Sequence, residues 1–210
     1  AYGNNKFVAV GDSGYTATSA DGITWSTPTA VGSNSWRAVA YADNTFVAVG
    51  ASGYTMTSVD GISWTTPTTV GGKSWYGVTY ADSKFVAVGS SGYTMTSTDG
   101  TTWTTPISVG SNYWYAVAYG NNKFVAVGSS SYTTTSTDGI TWATPTTVGS
   151  NVWNAITYGA DKFVAVDISG YTMTSVDGIT WSTPTAVGSN SWQAITYADS
   201  KFVAVGNNGY

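Results

Sequence analysis

The chain has no cysteine, no histidine and no glutamate, and its single arginine is Arg37. Without cysteine there is no disulfide framework and no thiol nucleophile; without histidine as well, the conventional catalytic triad and a zinc site are excluded. Charge is scarce too. Only 9% of residues are charged, against roughly a quarter in an average soluble domain, so the surface must be built from Ser, Thr, Asn, Gly and Tyr. The net charge is −4 with seven basic residues, too little positive charge for the phosphate contacts that drive nucleic-acid binding. The same shortage argues against an anionic membrane surface. No apolar run approaches the roughly 20 residues of a membrane span, so membrane insertion is not expected. The lack of cysteine fits cytosol and exterior alike; a secreted or cell-surface location is expected ahead of a cytoplasmic one.

What the chain has instead is repetition. Trp36, Trp75, Trp114, Trp153 and Trp192 recur every 39 residues, and so do Trp25, Trp64, Trp103, Trp142 and Trp181, with Pro28, Pro67, Pro106, Pro145 and Pro184. A period of this length signals a repeat architecture. Whole repeats span 36–74, 75–113, 114–152 and 153–191, with partial ones at 1–35 and 192–210. Phe-Val-Ala-Val is a short apolar run between turn residues, the pattern of a strand covered on both faces. Tyr-Thr-Met-Thr-Ser and Ile-Thr-Trp-Ser-Thr are dominated by β-branched and aromatic residues. Turn pairs such as Asp43-Asn44, Ser52-Gly53, Asp60-Gly61 and Gly72-Lys73 separate them.

Four strands per unit of roughly 40 residues make one propeller blade. The expectation is an all-β, five-bladed β-propeller of four-stranded antiparallel blades, with a β-solenoid ranked second. In the partial first repeat the strands are placed at Phe7–Gly11, Tyr15–Ser19 and Ile23–Val31. That blade lacks an innermost strand, and Trp192–Tyr197 can supply it, closing the ring by pairing the N- and C-terminal strands and removing exposed edges. A remainder is left over. The last 15 residues repeat the register of the first 15, so one copy of Phe-Val-Ala-Val-Gly is redundant and free to be displaced or to pair with a neighbouring chain. A start at Ala1-Tyr2, in mid-strand, suggests a longer parent, a trimmed piece or a designed sequence.

The run Ser19-Ala-Asp21-Gly22-Ile-Thr24-Trp25 recurs around Asp60, Asp99, Asp138 and Asp177. It resembles the Asp-box of sialidase-like propellers, Ser-x-Asp-x-Gly-x-Thr-Trp, with one residue fewer between Asp and Gly. The resemblance implies a turn joining the third and fourth strands of a blade. Read from the residues, the carboxylate accepts backbone N–H bonds while the Trp packs between blades; the functional alternative makes these Asp residues metal ligands or catalytic carboxylates. One Asp per turn is a poor cage for the roughly six to eight oxygens of calcium. Sialidase chemistry needs an arginine triad, and glycoside hydrolysis a carboxylate pair in distinct environments, which repeat-symmetric turns do not single out. No catalytic residue, metal or cofactor is assigned, and the chain is expected not to be an enzyme.

The ligand is expected at the opposite rim. There the loops into the innermost strands read Gly-x-x-x-Trp, carrying Asn34 and Trp36, Trp75 beside Lys73, Asn112 and Trp114, Asn151 and Trp153, and Asn190 and Trp192. The loops between second and third strands bring Tyr54, Tyr93, Tyr132 and Tyr171 to the same rim. Aromatic faces beside small amides and hydroxyls suit a neutral glycan, and suit a protein partner as well. The alternative for these Trp residues is that they fill the gap between blades. The order Gly-x-x-x-Trp, two strands, Tyr, Asp-Gly-x-x-Trp, Val-Gly is similar to the repeat of tachylectin-2-type five-bladed lectins. That resemblance implies inter-blade sites for N-acetylated sugars. The position after the Trp is the most variable of the repeat (Arg37, Tyr76, Tyr115, Asn154, Gln193) and is expected to edge the channel.

These residues support two functions. The first is a non-enzymatic, multivalent carbohydrate-binding propeller with glycan partners. The alternative is a scaffold or protein-interaction propeller, designed or cut from a longer repeat protein. Self-association through the redundant terminal strand is compatible with either.

Overall fold

The structure, a computed structural model, describes residues 1–207. Five four-stranded antiparallel sheets succeed one another along the chain. They comprise β1 (Tyr2–Gly3), β2 (Lys6–Val10), β3 (Tyr15–Ser19) and β4 (Thr29–Ala30); β5 (Trp36–Ala42), β6 (Thr45–Gly50), β7 (Tyr54–Ser58) and β8 (Thr68–Thr69); and β9 (Trp75–Ala81), β10 (Lys84–Gly89), β11 (Tyr93–Ser97) and β12 (Ile107–Ser108). Then come β13 (Trp114–Gly120), β14 (Lys123–Gly128), β15 (Tyr132–Ser136) and β16 (Thr146–Thr147), and β17 (Trp153–Gly159), β18 (Lys162–Asp167), β19 (Tyr171–Ser175) and β20 (Thr185–Ala186). A two-stranded sheet, β21 (Ser191–Ala198) with β22 (Lys201–Asn207), completes the described chain. The fold is that of a five-bladed β-propeller built on the 39-residue repeat. Two compact units divide the chain: Ala1–Ser90 with Met95–Ile107, and Ser91–Thr94 with the residues from Ser108 on.

From the second sheet to the fifth, the core of each blade is its second strand. Phe46, Val47, Ala48 and Val49 of β6 are fully buried, as are Phe124, Val125, Ala126 and Val127 of β14, which is why the sequence shows a continuous apolar run there rather than an alternation. Each first-to-second-strand connection is a two-residue turn with both φ values positive, as at Asp43-Asn44 (47° and 59°) and Asn121-Asn122 (45° and 57°). This is the hairpin geometry whose twist matches the strands, and Asn and Asp tolerate it. Ala160, at φ 45°, has no such tolerance.

The variable position after each Trp has a structural cause. Trp36 pairs with Gly50 and Ala38 with Val49, leaving Arg37 as an extra residue; the same shift places Tyr115, Asn154 and Gln193 between successive ladder pairs, and Tyr76 falls between the pairs Trp75–Gly89 and Gly77–Val88. A β-bulge residue takes no place in the ladder, so strand register does not dictate its residue type.

Two expectations are corrected. The fourth strand is not the long segment Ile23–Val31 but the two residues Thr29–Ala30, because the chain leaves the ladder after an isolated bridge between Ser19 and Trp25. Pro28, which has no N–H to donate, stands immediately before the strand. Closure by terminal strand pairing is corrected as well. Tyr2 pairs with Phe7 and Gly3 with Lys6, so the first sheet has an innermost strand of its own, while the strand containing Trp192 pairs with β22 in a separate sheet. The start of a further third strand expected after Gly206 lies outside the described residues.

Candidate functional site

The Gly-x-x-x-Trp loops do meet the neighbouring second-to-third-strand loops, within each unit. Gly14 N donates to Asn34 O at 2.6 Å, Trp36 N to Gly11 O at 3.1 Å, and Ser131 Oγ to Asn151 O at 2.8 Å. Their tryptophans are not at the surface, however. Trp75, Trp114 and Trp153 are 0% exposed and Trp36 is 2% exposed; Trp192, on the two-stranded sheet, is half-buried. Trp114 Nε1 donates to Val109 O at 3.2 Å and Trp153 Nε1 to Val148 O at 3.3 Å, carbonyls just past the outermost strand of the preceding repeat. The expected ligand-stacking role of Trp36, Trp75, Trp114 and Trp153 is therefore corrected: the indoles are core, that of Trp36 packed with Val10 and Val31 and that of Trp153 with Val125 and Val127 of the preceding sheet. Around them Asn34, Asn112, Asn151 and Asn190 are half-buried, as are Tyr54, Tyr93 and Tyr132, and Tyr171 is exposed.

One copy of this loop differs. Where the other repeats have Gly, β18 ends on Asp167, whose fully buried carboxylate accepts from Asn151 Nδ2 at 2.7 Å, Ser169 N at 2.9 Å and Tyr171 N at 2.6 Å. The added side chain spreads the ladder. Ile168 N stands 3.4 Å from Val152 O, whereas the equivalent Ala51–Ser35 and Ser90–Ser74 bonds are 2.8 Å. These three hydrogen bonds satisfy the carboxylate, so Asn151 acts here as its partner.

At the opposite end of each repeat the Asp-Gly turns form one bonding scheme five times. In the second copy Asp60 Oδ1 accepts from Ser63 N at 2.7 Å, Ile62 N at 2.8 Å and Ser58 Oγ at 3.0 Å, while Ser58 Oγ accepts from Gly61 N at 2.8 Å. The backbone N–H groups hold the carboxyls of Asp21, Asp60 and Asp138 down to about 2, with the N–H three residues on the largest cause in each. Asp99 is lowered by the same bonds, Thr102 N–H first. Gly61 has φ +74°, and a Cβ on it would lie 2.6 Å from Val8 Cγ2 of the preceding blade. The carboxylate thus fixes a turn that locks against its neighbour. Lys6 Nζ adds a bond to Asp60 O at 3.2 Å, and Lys123 Nζ one to Asp177 O at 3.3 Å.

This end also carries a feature that the sequence alone did not reveal. Val59 and Ile62 of one turn are 68% and 56% exposed, Val176 and Ile179 of another 66% and 57%. In the second unit Ile179 edges a groove of about 610 Å³ between Thr146–Gly149 and Ile179–Pro184, with Trp181 in its wall. Trp181 is half-buried, packed on the cluster of Trp153, Phe163 and Met173. No lining residue is charged. Pro184 closes the groove's end: a Cβ on Gly149, whose φ is +76°, would sit 3.0 Å from Pro184 Cγ. The same Gly–Pro approach recurs between Gly110 and Pro145 and between Gly32 and Pro67. The shared period of the prolines and the Val-Gly pairs was the available signal for this contact.

The sequence matches no protein-family model and no curated protein. Among solved structures it is similar to YCF48 bound to a D1 peptide, with a TM-score of 0.70 and 15% identity over 96% of this chain and 72% of that one. It is likewise similar to the computationally designed Ika8 protein, with a TM-score of 0.72 and 12% identity over 97% of this chain and 66% of that one. At such identities the likeness is one of fold alone: a β-propeller made of sequence repeats.

Proposed function

We propose that the chain is a non-enzymatic protein-interaction propeller that binds an extended, uncharged peptide segment in the groove between Thr146–Gly149 and Ile179–Pro184. The groove itself carries this reading. Its volume falls in the range of sites that bury a ligand (about 300–1,000 Å³), it has no charged wall, and an aromatic side chain and an exposed isoleucine supply apolar contact. The outermost strand beside it, Thr146–Thr147, is a sheet edge with unpaired backbone groups that an extended peptide can meet. A propeller of the same fold, YCF48, holds a peptide, which favours a protein partner. The glycan reading relied on the indoles of Trp36, Trp75, Trp114 and Trp153, and those faces are closed off in the core.

A peptide-display selection tests this. The expectation is enrichment of neutral segments carrying an apolar anchor, whose affinity falls about tenfold or more in Ile179→Lys while the melting temperature is unchanged. No enrichment, or equal binding by the variant, would overturn the reading. A glycan-array hit lost in the same variant would replace it with the carbohydrate one.

A further inference from the structure

Within each unit, contacts between successive blades join two different faces of the second strand. In the second unit Val125 and Val127 of β14 pack forward onto Trp153, Phe163, Ala165 and Met173 of the next sheet. In the first unit Val10 and Val31 pack forward onto Trp36, Ala48 and Met56. The valines are thus the leading face, and the Phe and Ala that alternate with them belong to the trailing face. In β6 and β14 both faces are fully closed.

Two of these faces have no counterpart among the described residues. On β22 the leading face is open: Val203 is 51% and Val205 56% exposed, where the equivalent Val47 and Val49 are 0% exposed. On β2 the trailing face is open: Phe7 is 36% exposed, against 0% for Phe46, and Ala9 is exposed beside it. An antiparallel sheet facing water normally turns polar residues outward. These two faces keep the apolar pattern of an interior blade contact.

We infer that the Val203–Val205 face of one molecule takes the Phe7 face of a second copy of this chain, continuing the blade stacking head to tail. The occupant is identified by the internal contacts, because a leading face meets a trailing face wherever one is closed within a unit. The register comes from them too. Val8 lies against Gly61 and Lys6 Nζ reaches Asp60 O, so Val203 is to cover Gly22 of the second copy and Lys201 Nζ to reach its Asp21 carbonyl. The scarcity of charge, 9% of residues, leaves little repulsion to oppose the contact. Such an interface is heterologous and propagates or closes into a ring of copies. It is separate from the peptide groove and does not depend on it.

Sedimentation velocity across a concentration series tests the inference. The expected result is a mass above the 21.8 kDa of one chain, rising with concentration. Val203→Lys and Phe7→Lys are each expected to sediment as single chains. Mixed, they are expected to form a pair of about twice that mass and no larger, because the mixture retains one intact leading face and one intact trailing face. Val205→Lys serves in place of Val203→Lys should thermal melting show the latter unfolded. Single chains at every concentration, undiminished assembly by Val203→Lys, or a mixture that stays as single chains would each overturn the inference.

Discussion

Each repeat carries two tryptophans, and they have opposite fates. Trp114 is fully buried and bonded through its indole to Val109 O; Trp142, later in the same repeat, is half-buried, its indole bonded back to Gly139 O of its own turn. Both come after a glycine-containing loop, and both keep the 39-residue period. The difference lies in the segment that each one begins. Trp114 opens a seven-residue strand whose partner strand is covered on both faces. Trp142 sits at an isolated bridge, beyond which the outer strand lasts two residues. An aromatic next to the two-sided strand is enclosed, as Trp153 is by the valines of the preceding sheet, whereas one at the rim keeps an open edge. Periodicity therefore marks both residues as important, but it does not say which one a ligand can reach.

The largest expected effect is on the enclosed member. Trp114→Ala should cost about 3–5 kcal/mol, and Trp142→Ala about 1–2 kcal/mol, since less of its surface leaves water. Equal losses in urea unfolding would erase the distinction. Next comes the lock beneath the exposed end. Gly61→Ala forces a side chain into φ +74° and into Val8, and should lower stability by about 2–4 kcal/mol, read as a drop in the thermal midpoint; a neutral outcome would mean that this turn does not hold the blades together.

Asp60→Ala removes the acceptor of two backbone N–H groups and one hydroxyl and should cost about 1–2 kcal/mol. The sign of the pH dependence is set by the lowered carboxyls. Their folded value of about 2 lies below the roughly 3.9 of an unfolded chain. The stabilisation is complete above pH ~4 and is lost as pH falls through ~2. Unfolding midpoints measured between about pH 5 and about pH 2 should fall in the native protein and fall less steeply in Asp60→Asn. The smallest effect should be a gain: Ala160→Asn places a residue that tolerates φ 45° in the hairpin turn and should add about 0.5–1 kcal/mol, visible as a small rise in melting temperature.

Much of the fold was legible in the chain. The apolar run Phe46–Val49 forms a doubly covered strand, the Asp43-Asn44 pair forms a hairpin turn, and Asp60-Gly61 forms a self-bonded turn. Each of these is local, set by backbone sterics or by hydrogen bonds a few residues apart. The outer strand is shorter than its residue types suggest because β-propensity at Ile23–Thr27 cannot register that Pro28 and the turn geometry take those residues off the ladder. The candidate groove touches only the start of one favoured loop, at Val148-Gly149, and its far wall is the segment Ile179–Pro184, which the composition did not single out, for a related reason. A Trp beside Asn and Ser looks like a ligand contact, and only the packing of the preceding blade turns Trp36 or Trp153 into core.

By itself the sequence determined the repeat, the four strands within it, the turns between them and the absence of thiol, imidazole and charge-driven chemistry, because these depend on residue type and short-range bonding. Tertiary structure decided which tryptophan is enclosed, that the residue after it is a bulge, and that Gly149 and Pro184 meet beside an uncharged groove. Those outcomes depend on surfaces contributed by neighbouring repeats. A periodic sequence specifies such surfaces only once its copies are stacked, and the same Val-Ala-Val strand is fully buried in β6 yet exposes its valines in β22.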